Sequence, residues 1–256
     1  MGRICSIITL IFFLVKPSLG QFSWERPGLK GQVREIYAER VDIDSSTPRA
    51  EAKRLPWYHE DYNSAGFLVL ITFFKPGKEE PNNTWAYAFD SAMRSAVATV
   101  YDDKRQLLWK EVYSLDNDEK PISAALFGPD GSSKTEYSYV YNHAGRLTEW
   151  LASHRDGSKY PKNRYRYDRL GRLIEETTFG PNGSFSSNNV FAYDSRGQIS
   201  QVNGIDDSGK EHHWRYDYKY DSVGNWIERT KSARKTGESK VGVEEIVFRT
   251  IAYFEK

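Results

Sequence analysis

The stretch YRYDRLGRL, residues 165–173, decides the fold predicted for this chain. Tyr165 and Tyr167 alternate with charged residues, Asp168 ends the alternation, and Gly171 follows three residues later. Strict alternation of apolar and polar side chains is typical of a β-strand with one buried face. Asp and Gly at the first and fourth positions of DRLG suit a type I turn, so the stretch predicts a strand that enters a hairpin.

The same pattern recurs along the chain as aromatic, any residue, aromatic, Asp or Asn, two residues and Gly. Close copies are YVYNHAGRL (139–147), FAYDSRGQI (191–199) and YKYDSVGNW (218–226). A period held over many units predicts a repeat architecture. The second ring position recurs every 26 or 27 residues, at Tyr62, Phe89, Leu115, Tyr141, Tyr167, Tyr193 and Tyr220.

A second turn signal lies between these copies, with GPDG at 128–131 and GPNG at 180–183. Each unit therefore predicts two strands and two turns, about a dozen strands in all. We expect an all-β fold of consecutive antiparallel hairpins, which form a long curled sheet or a flattened barrel because open twisted sheets of this size curl. The residues predicted to build the structural repeat are Tyr141, Gly145, Tyr167, Asp168, Gly171, Tyr193, Asp194, Gly197, Tyr220, Asp221 and Gly224.

On these motifs the chain resembles the YD-repeat, or Rhs-type, proteins, whose signature is Y-x-Y-D-x-x-G-[RN]-[LW]. The resemblance covers roughly residues 62–230, and YRYDRLGRLIEE and YKYDSVGNWIER are its sharpest copies. It implies hairpins in a long curling sheet, in exported or cell-surface proteins that serve as shells, stalks or adhesive surfaces. The residues after the last repeat do not resemble the autoproteolytic core or toxic domain of large Rhs toxins, so we expect a short stand-alone form.

Three parts of the chain are predicted. Residues 1–20, MGRICSIITLIFFLVKPSLG, have the basic front, apolar run and small final residues of a secretory signal peptide. Residues 21–61 are predicted as an N-terminal strand followed by an irregular excursion over 37–61 that caps the open end. Residues 62–256 are predicted as the repeat domain continuous with it. The apolar run is shorter than the roughly 20 residues of a membrane helix, so retention as an anchor is the weaker alternative and we expect no membrane span after signal removal.

Composition favours an exported protein and disfavours nucleic-acid binding. Cys5 is the only cysteine and lies within the predicted signal, so we expect no disulfide and no thiolate metal site, as in a bacterial envelope protein. Loss of Arg3 and Lys16 with the signal would leave 34 basic side chains (36 minus 2) against 35 acidic ones, mixed along the chain. Phosphate-backbone affinity needs a concentrated basic face. We therefore expect a periplasmic, cell-surface or extracellular location.

The ionisable residues form no recognised catalytic or metal-binding motif. His212 and His213 adjoin on a predicted strand and so point to opposite faces, as do Glu175 and Glu176. We predict no catalytic, cofactor-binding or metal-binding residue and no cofactor. The expected function is non-enzymatic, either binding of a glycan or protein partner at the cell envelope or a structural role. The alternative is a hydrolase, such as a glycoside hydrolase, that acts on envelope polysaccharide.

The stretch WRYDYKYD, residues 214–221, shows what we expect of the aromatic face. Alternation predicts that its four rings project from one mostly buried face and that Arg215, Asp217 and Lys219 face the other way. Trp214 is furthest from the turn at Asp221, so it is predicted to lie at the rim. The candidates for ligand-facing aromatic residues are Trp85, Trp109 and Trp214.

Overall fold

The computed structural model describes residues 28–43, 52–90, 92–154, 156–180, 183–234 and 241–255. The predicted signal peptide lies outside these ranges. Among the described residues no helix is long and apolar enough to cross a membrane.

The described chain forms sixteen strands joined mainly by tight turns. They are β1 (Val33–Asp42), β2 (Leu55–Tyr62), β3 (Leu68–Phe74), β4 (Pro81–Phe89), β5 (Ser95–Asp102), β6 (Leu107–Leu115), β7 (Pro121–Phe127), β8 (Ser133–Tyr141), β9 (Leu147–Ser153), β10 (Lys159–Tyr167), β11 (Leu173–Phe179), β12 (Phe185–Tyr193), β13 (Ile199–Asp206), β14 (Glu211–Tyr220), β15 (Trp226–Arg234) and β16 (Val241–Tyr253).

The sheet is a closed antiparallel barrel. Each strand pairs with the next one along the chain, and β1 pairs with both β2 and β16. The all-β prediction and the barrel alternative are confirmed. The seven repeat units supply β2–β15, and β1 and β16 are added to them, which is why the strand count exceeds the dozen predicted.

The irregular excursion predicted for residues 37–61 is wrong at both of its ends. Residues 37–42 complete β1, and residues 55–61 belong to β2. The stretch GQVREI, residues 31–36, looks like an isolated second half of the repeat signature, and Gly31 has the positive φ, 75°, of the other turn glycines. The strand that follows pairs with β16 and β2, which buries Ile36 and Ala38 completely.

The two faces of the barrel wall differ in chemistry. On β14, Arg215, Asp217 and Lys219 are exposed, whereas the intervening rings of Trp214, Tyr216, Tyr218 and Tyr220 are partly buried. The predicted alternation is therefore confirmed. We call the ring-bearing side the inner face and the charged side the outer face, because the buried side of a closed barrel is its interior.

The inner face of the repeats forms rows of aromatic side chains. The first tyrosine of successive units, Tyr113, Tyr139 and Tyr165, lies on β6, β8 and β10 and is 3%, 7% and 6% exposed. Leu115, Leu147 and Leu173 pack in the same core. The repeat period thus places equivalent rings side by side around the wall, and these rings make the core.

The last repeat turn, between β14 and β15, forms hydrogen bonds at the junction where β1 and β16 close the sheet into a barrel. The Lys30 backbone N–H donates to Asn225 Oδ1 at 2.7 Å, and Asn225 Nδ2 donates to the Lys30 carbonyl at 2.7 Å. Asn225 Nδ2 also donates to the Tyr253 hydroxyl at 2.8 Å, and that hydroxyl donates to Asp221 at 2.6 Å. One asparagine therefore joins the segment before β1, the β14–β15 turn and the end of β16.

Candidate functional site

The Asp and Gly residues of the repeat motif build its turns. The Asp168 carbonyl accepts from the Gly171 N–H at 3.0 Å, and Asp168 Oδ1 accepts from the Arg172 N–H at 2.9 Å. The latter bond is the main reason that the pKa of the Asp168 carboxyl is lowered. Gly171 has a φ of 86°, which other residues adopt only with strain. Equivalent turns contain Asn142 and Gly145, Asp194 and Gly197, and Asp221 and Gly224.

In three successive units the second tyrosine of the motif joins its repeat to the one before it. Its hydroxyl donates to the carbonyl that begins the return strand of the preceding unit. Because the phenol oxygen is thereby bonded, the ring can pack inside without an unpaired polar atom. The bonds are Tyr141 to Pro121 at 2.7 Å, Tyr167 to Leu147 at 2.7 Å and Tyr193 to Leu173 at 2.6 Å. In the last unit Tyr218 makes the corresponding bond, to the Ile199 carbonyl at 2.8 Å.

The arginine of the motif contacts the ring of the following unit. Arg146 lies 5.9 Å from the Tyr167 ring centroid, and Arg172 lies 4.9 Å from the Tyr193 centroid. These distances allow a cation–π contact. Every residue type of the motif therefore has a role within the repeat itself.

Two of the three candidate ligand-facing tryptophans lie in the core. Trp85 is 9% exposed, and its indole N–H donates to Asn83 Oδ1 at 3.1 Å. Trp109 packs against Trp85 edge to face, with 5.6 Å between the ring centroids. These two rings stabilise the wall and each other.

The third, Trp214, lies in a polar cluster on the inner face close to the β13–β14 turn. His212 stacks on the indole with 3.9 Å between centroids, and Lys231 Nζ lies 4.0 Å from the indole centroid. His212 Nε2 lies 2.9 Å from Asn189 Oδ1. We call His212, Trp214 and Lys231, with Asn189 behind them, the Trp214 cluster.

A glycine makes this cluster sterically feasible. Asn189, Gly204 and His212 are directly paired across β12, β13 and β14. A Cβ at Gly204 would lie 2.2 Å from His212 Nε2 and 2.4 Å from Asn189 Oδ1. The imidazole therefore crosses over Gly204 to reach the amide. Burial is the main reason that the pKa of His212 is lowered, which favours the neutral ring.

Sequence reasoning named Glu176 only to separate it from Glu175, and it missed the other carboxylates on the inner face. Glu60 is fully buried and accepts from the Tyr62 hydroxyl at 3.0 Å, and Glu111 accepts from the Tyr113 hydroxyl. Further around the wall, Glu176 accepts from Asn163 at 2.9 Å and Glu245 accepts from Arg229 at 2.9 Å. Their parity with the motif tyrosines is the signal that could have identified them. They lie on β2, β6, β11 and β16, so they do not form neighbouring pairs in the strand order.

Three acidic residues on the outer face pair with a basic residue on the next strand. Directly opposed pairs are Arg164 with Glu149 at 2.8 Å, Arg166 with Glu175 at 2.6 Å and Lys219 with Glu228 at 2.8 Å. A different arrangement occurs on β1 and β2, where Glu35, His59 and Asp61 place one potential metal-ligand atom each within 4.8 Å of one another.

Comparison with known proteins agrees with the repeat geometry. The family model described as RHS Repeat matches residues 141–184, from the end of β8 to the start of β12. This segment of the chain matches an RHS repeat. The resemblance to YD-repeat proteins is thus confirmed, and the RHS turn and tyrosine contacts described above extend into the copies at 191–199 and 218–226. No curated protein sequence matches the chain.

One solved structure shares the architecture. A porin-like protein from Bacteroides uniformis matches with a TM-score of 0.55 and 16% identity, over 88% of this chain and 99% of that one. A TcdB2-TccC3-Cdc42 structure matches with a TM-score of 0.31 and 12% identity, over 84% of this chain and 16% of that one. The first similarity shows a shared fold. Together with the RHS repeats it fits a structural or binding protein built from β-repeats.

Proposed function

We propose that this RHS-repeat barrel is an exported, non-enzymatic protein that binds a glycan through the Trp214 cluster. The observation that carries the proposal is the placement of His212 across Gly204. A neutral imidazole that donates from Nε2 to Asn189 keeps Nδ1 as an acceptor. The cluster then combines an acceptor with the Lys231 ammonium donor, which suits a ligand rich in hydroxyl groups.

The inner-face carboxylates support a non-enzymatic role. Glycoside hydrolysis uses two carboxyl groups about 5 to 10 Å apart on either side of the bond that is cleaved. Glu111 and Glu176 are each hydrogen bonded to a neighbouring side chain, Glu111 to Tyr113 and Glu176 to Asn163. This arrangement suits structural carboxylates better than a catalytic pair.

A glycan array probed with the chain from Gln21 onwards tests the proposal. We expect His212→Ala to lose retention on the glycan that binds the parent chain. His213→Ala is the matched control, because His213 neighbours His212 in sequence but lies exposed on the outer face. Circular dichroism on both variants checks that the fold is kept.

Three outcomes would contradict glycan binding at this site. Equal retention by both variants would place the binding elsewhere. Capture of a protein by the parent chain, with no bound glycan, would favour a protein partner. Release of reducing sugar from envelope polysaccharide would favour the hydrolase alternative.

Export is proposed from the signal-like residues 1–20. Mass spectrometry of the protein from its native host is expected to find a chain that begins near Gln21 in an envelope or extracellular fraction. A cytoplasmic protein that keeps Met1 would contradict export without affecting the glycan proposal.

A further inference from the structure

The outer face of β1 and β2 brings together three side chains with metal-ligand chemistry. Glu35 is directly paired with Asp61, and His59 lies two residues before Asp61 on the same face. His59 Nε2 is 4.0 Å from Glu35 Oε2 and 3.8 Å from Asp61 Oδ1. The imidazole nitrogen therefore lies near both carboxylates. The three side chains are between 32% and 38% exposed, so ions can reach them.

The charges of this group differ from those of three carboxylates elsewhere on the outer face. Glu149, Glu175 and Glu228 each have an arginine or lysine directly opposite on the neighbouring strand. Glu35 and Asp61 instead place two carboxylates opposite each other. Like charges directly opposite on paired strands repel and destabilise the sheet. A cation bound between them would remove that cost.

No basic residue on β16 or β3 is paired directly with Glu35, His59 or Asp61. Glu35 is paired on its other side with Ala252 of β16, and Asp61 is paired with Leu70 of β3. His59 is paired with Thr72. The nearby base is Arg34, which lies 3.8 Å from Glu35 Oε1 and leaves Oε2 facing His59. One carboxylate oxygen of Glu35 therefore faces Arg34, and the other faces the His59 imidazole.

We propose that Glu35, His59 and Asp61 bind a divalent transition-metal ion, with Zn²⁺ as the ion to test. One imidazole nitrogen and two carboxylate oxygens are a donor set that Zn²⁺ accepts at about 2.0–2.2 Å, with donor atoms about 3.4 Å apart in a tetrahedral site. The two separations from His59 Nε2, 4.0 Å to Glu35 and 3.8 Å to Asp61, exceed this value by about half an ångström, and the three ligand atoms all lie within 4.8 Å of one another, so side-chain rotations have to bring the carboxylates closer. Water completes the coordination, because the group is open to solvent.

Calorimetric titration of ZnCl₂ into the metal-free, untagged chain tests the site. We expect one saturable equivalent that EDTA removes, and a higher midpoint of thermal unfolding in its presence. His59→Ala is expected to abolish this binding. Asp61→Asn is a second variant, which keeps the shape of the side chain and removes its charge. Co²⁺ in place of Zn²⁺ should give a visible absorption band in the parent chain and none in either variant.

His213→Ala is the matched control for the metal site. His213 Nε2 lies 3.6 Å from Glu211 on the outer face of β14, which makes a similar imidazole–carboxylate pair without the opposed second carboxylate. Its variant is expected to bind Zn²⁺ like the parent. Absence of saturable binding to the parent chain, or equal loss in His213→Ala and His59→Ala, would overturn the proposal.

Discussion

At the scale of single residues, the turn glycines adopt a left-handed conformation with little strain, whereas three equivalent turns earlier in the chain hold a non-glycine residue at positive φ. Gly197 has a φ of 80°, and a Cβ there would meet no atom within 4 Å. Its substitution therefore isolates backbone strain from steric overlap. At Gly171, by contrast, a Cβ would also meet the Arg146 guanidinium at 2.3 Å. That overlap can be relieved because the arginine side chain is flexible.

Gly197→Ala is expected to lower the free energy of unfolding by about 1–2 kcal/mol, the cost of a left-handed conformation for an L-residue. Gly171→Val should cost about 1–3 kcal/mol. Gly242→Ala is the control, because this glycine has no positive φ and no atom within 4 Å of a built Cβ. Urea unfolding measures all three variants. A neutral Gly197→Ala would show that the turn is assigned wrongly.

Tyr218 separates the contributions of the ring and the hydroxyl. Tyr218→Phe should cost about 0.5–1.5 kcal/mol, because it removes the bond to the Ile199 carbonyl. Tyr218→Ala should cost roughly 3 kcal/mol, because it removes the ring from the core. Asp217→Ala, on the exposed face of the same strand, should change stability by less than about 0.5 kcal/mol. Equal thermal unfolding of the Ala variants would contradict a structural role for the ring.

The roles of the motif residues could be predicted because turn chemistry and strand parity are local. Gly171 and Asp168 show this, since their geometry depends on neighbours within a few residues. The Trp214 cluster could not be predicted in the same way. His212 reaches Asn189 only because Gly204 lies between them on the middle strand, and that register depends on the pairing of three strands.

At the scale of strands and turns, the last repeat has an asparagine after its turn glycine, and this asparagine takes part in closing the barrel. Arg146 and Arg172 follow the turn glycine in earlier units, whereas Asn225 occupies this position in the last one. Asn225 is 2% exposed and bonds to Lys30 and Tyr253. A short amide fits this junction, where an arginine would extend past it.

Asn225→Ala is therefore expected to destabilise the barrel by at least about 1–3 kcal/mol, since it leaves partly buried groups without their partners. Gln198→Ala, the equivalent position one repeat earlier, is the matched control and should have a smaller effect. Urea unfolding gives the free energies, and amide hydrogen exchange at the residues before β1 reports local opening. Equal effects of the two variants would show that the last turn does not hold the closure.

The rows of inner-face tyrosines predict a loss of stability at alkaline pH. Burial is the main cause that raises the pKa of Tyr137, Tyr193 and Tyr216 to about 12. The unfolded value is about 10, so above that pH the unfolded chain loses protons that the folded chain keeps. This contribution to stability is complete below about pH 10 and is lost as the pH rises toward 12.

Urea unfolding at a series of alkaline pH values measures this loss. We expect the midpoint to fall above about pH 10 and the tyrosinate absorbance of these rings to rise together with unfolding. Tyrosinate formation in a fully folded chain would contradict burial of the rings.

At the scale of the whole molecule, closure of the barrel was the feature least accessible from sequence. The repeat period predicts a chain of hairpins and a curled sheet, but a periodic pattern does not state where the sheet ends. Closure depends on the pairing of β1 with β16, about two hundred residues later in the chain. Strand order and register at this junction are tertiary properties.

A disulfide across the closure tests the central claim of a closed RHS-repeat barrel most directly. Tyr37 on β1 is directly paired with Thr250 on β16. In a Cys5→Ser background, cysteines at these two positions should form an intramolecular bond on mild oxidation, because paired residues meet the Cα separation that disulfides require. Cysteines at Tyr37 and Arg215 are the control, because β14 lies three strands away, about 14 Å along the wall.

We expect non-reducing electrophoresis and peptide mass spectrometry to find the Tyr37–Thr250 bond in nearly all monomers and the control bond in almost none. Failure of the Tyr37–Thr250 pair to form a bond within the monomer, or bonds formed equally by both pairs, would contradict the closed barrel.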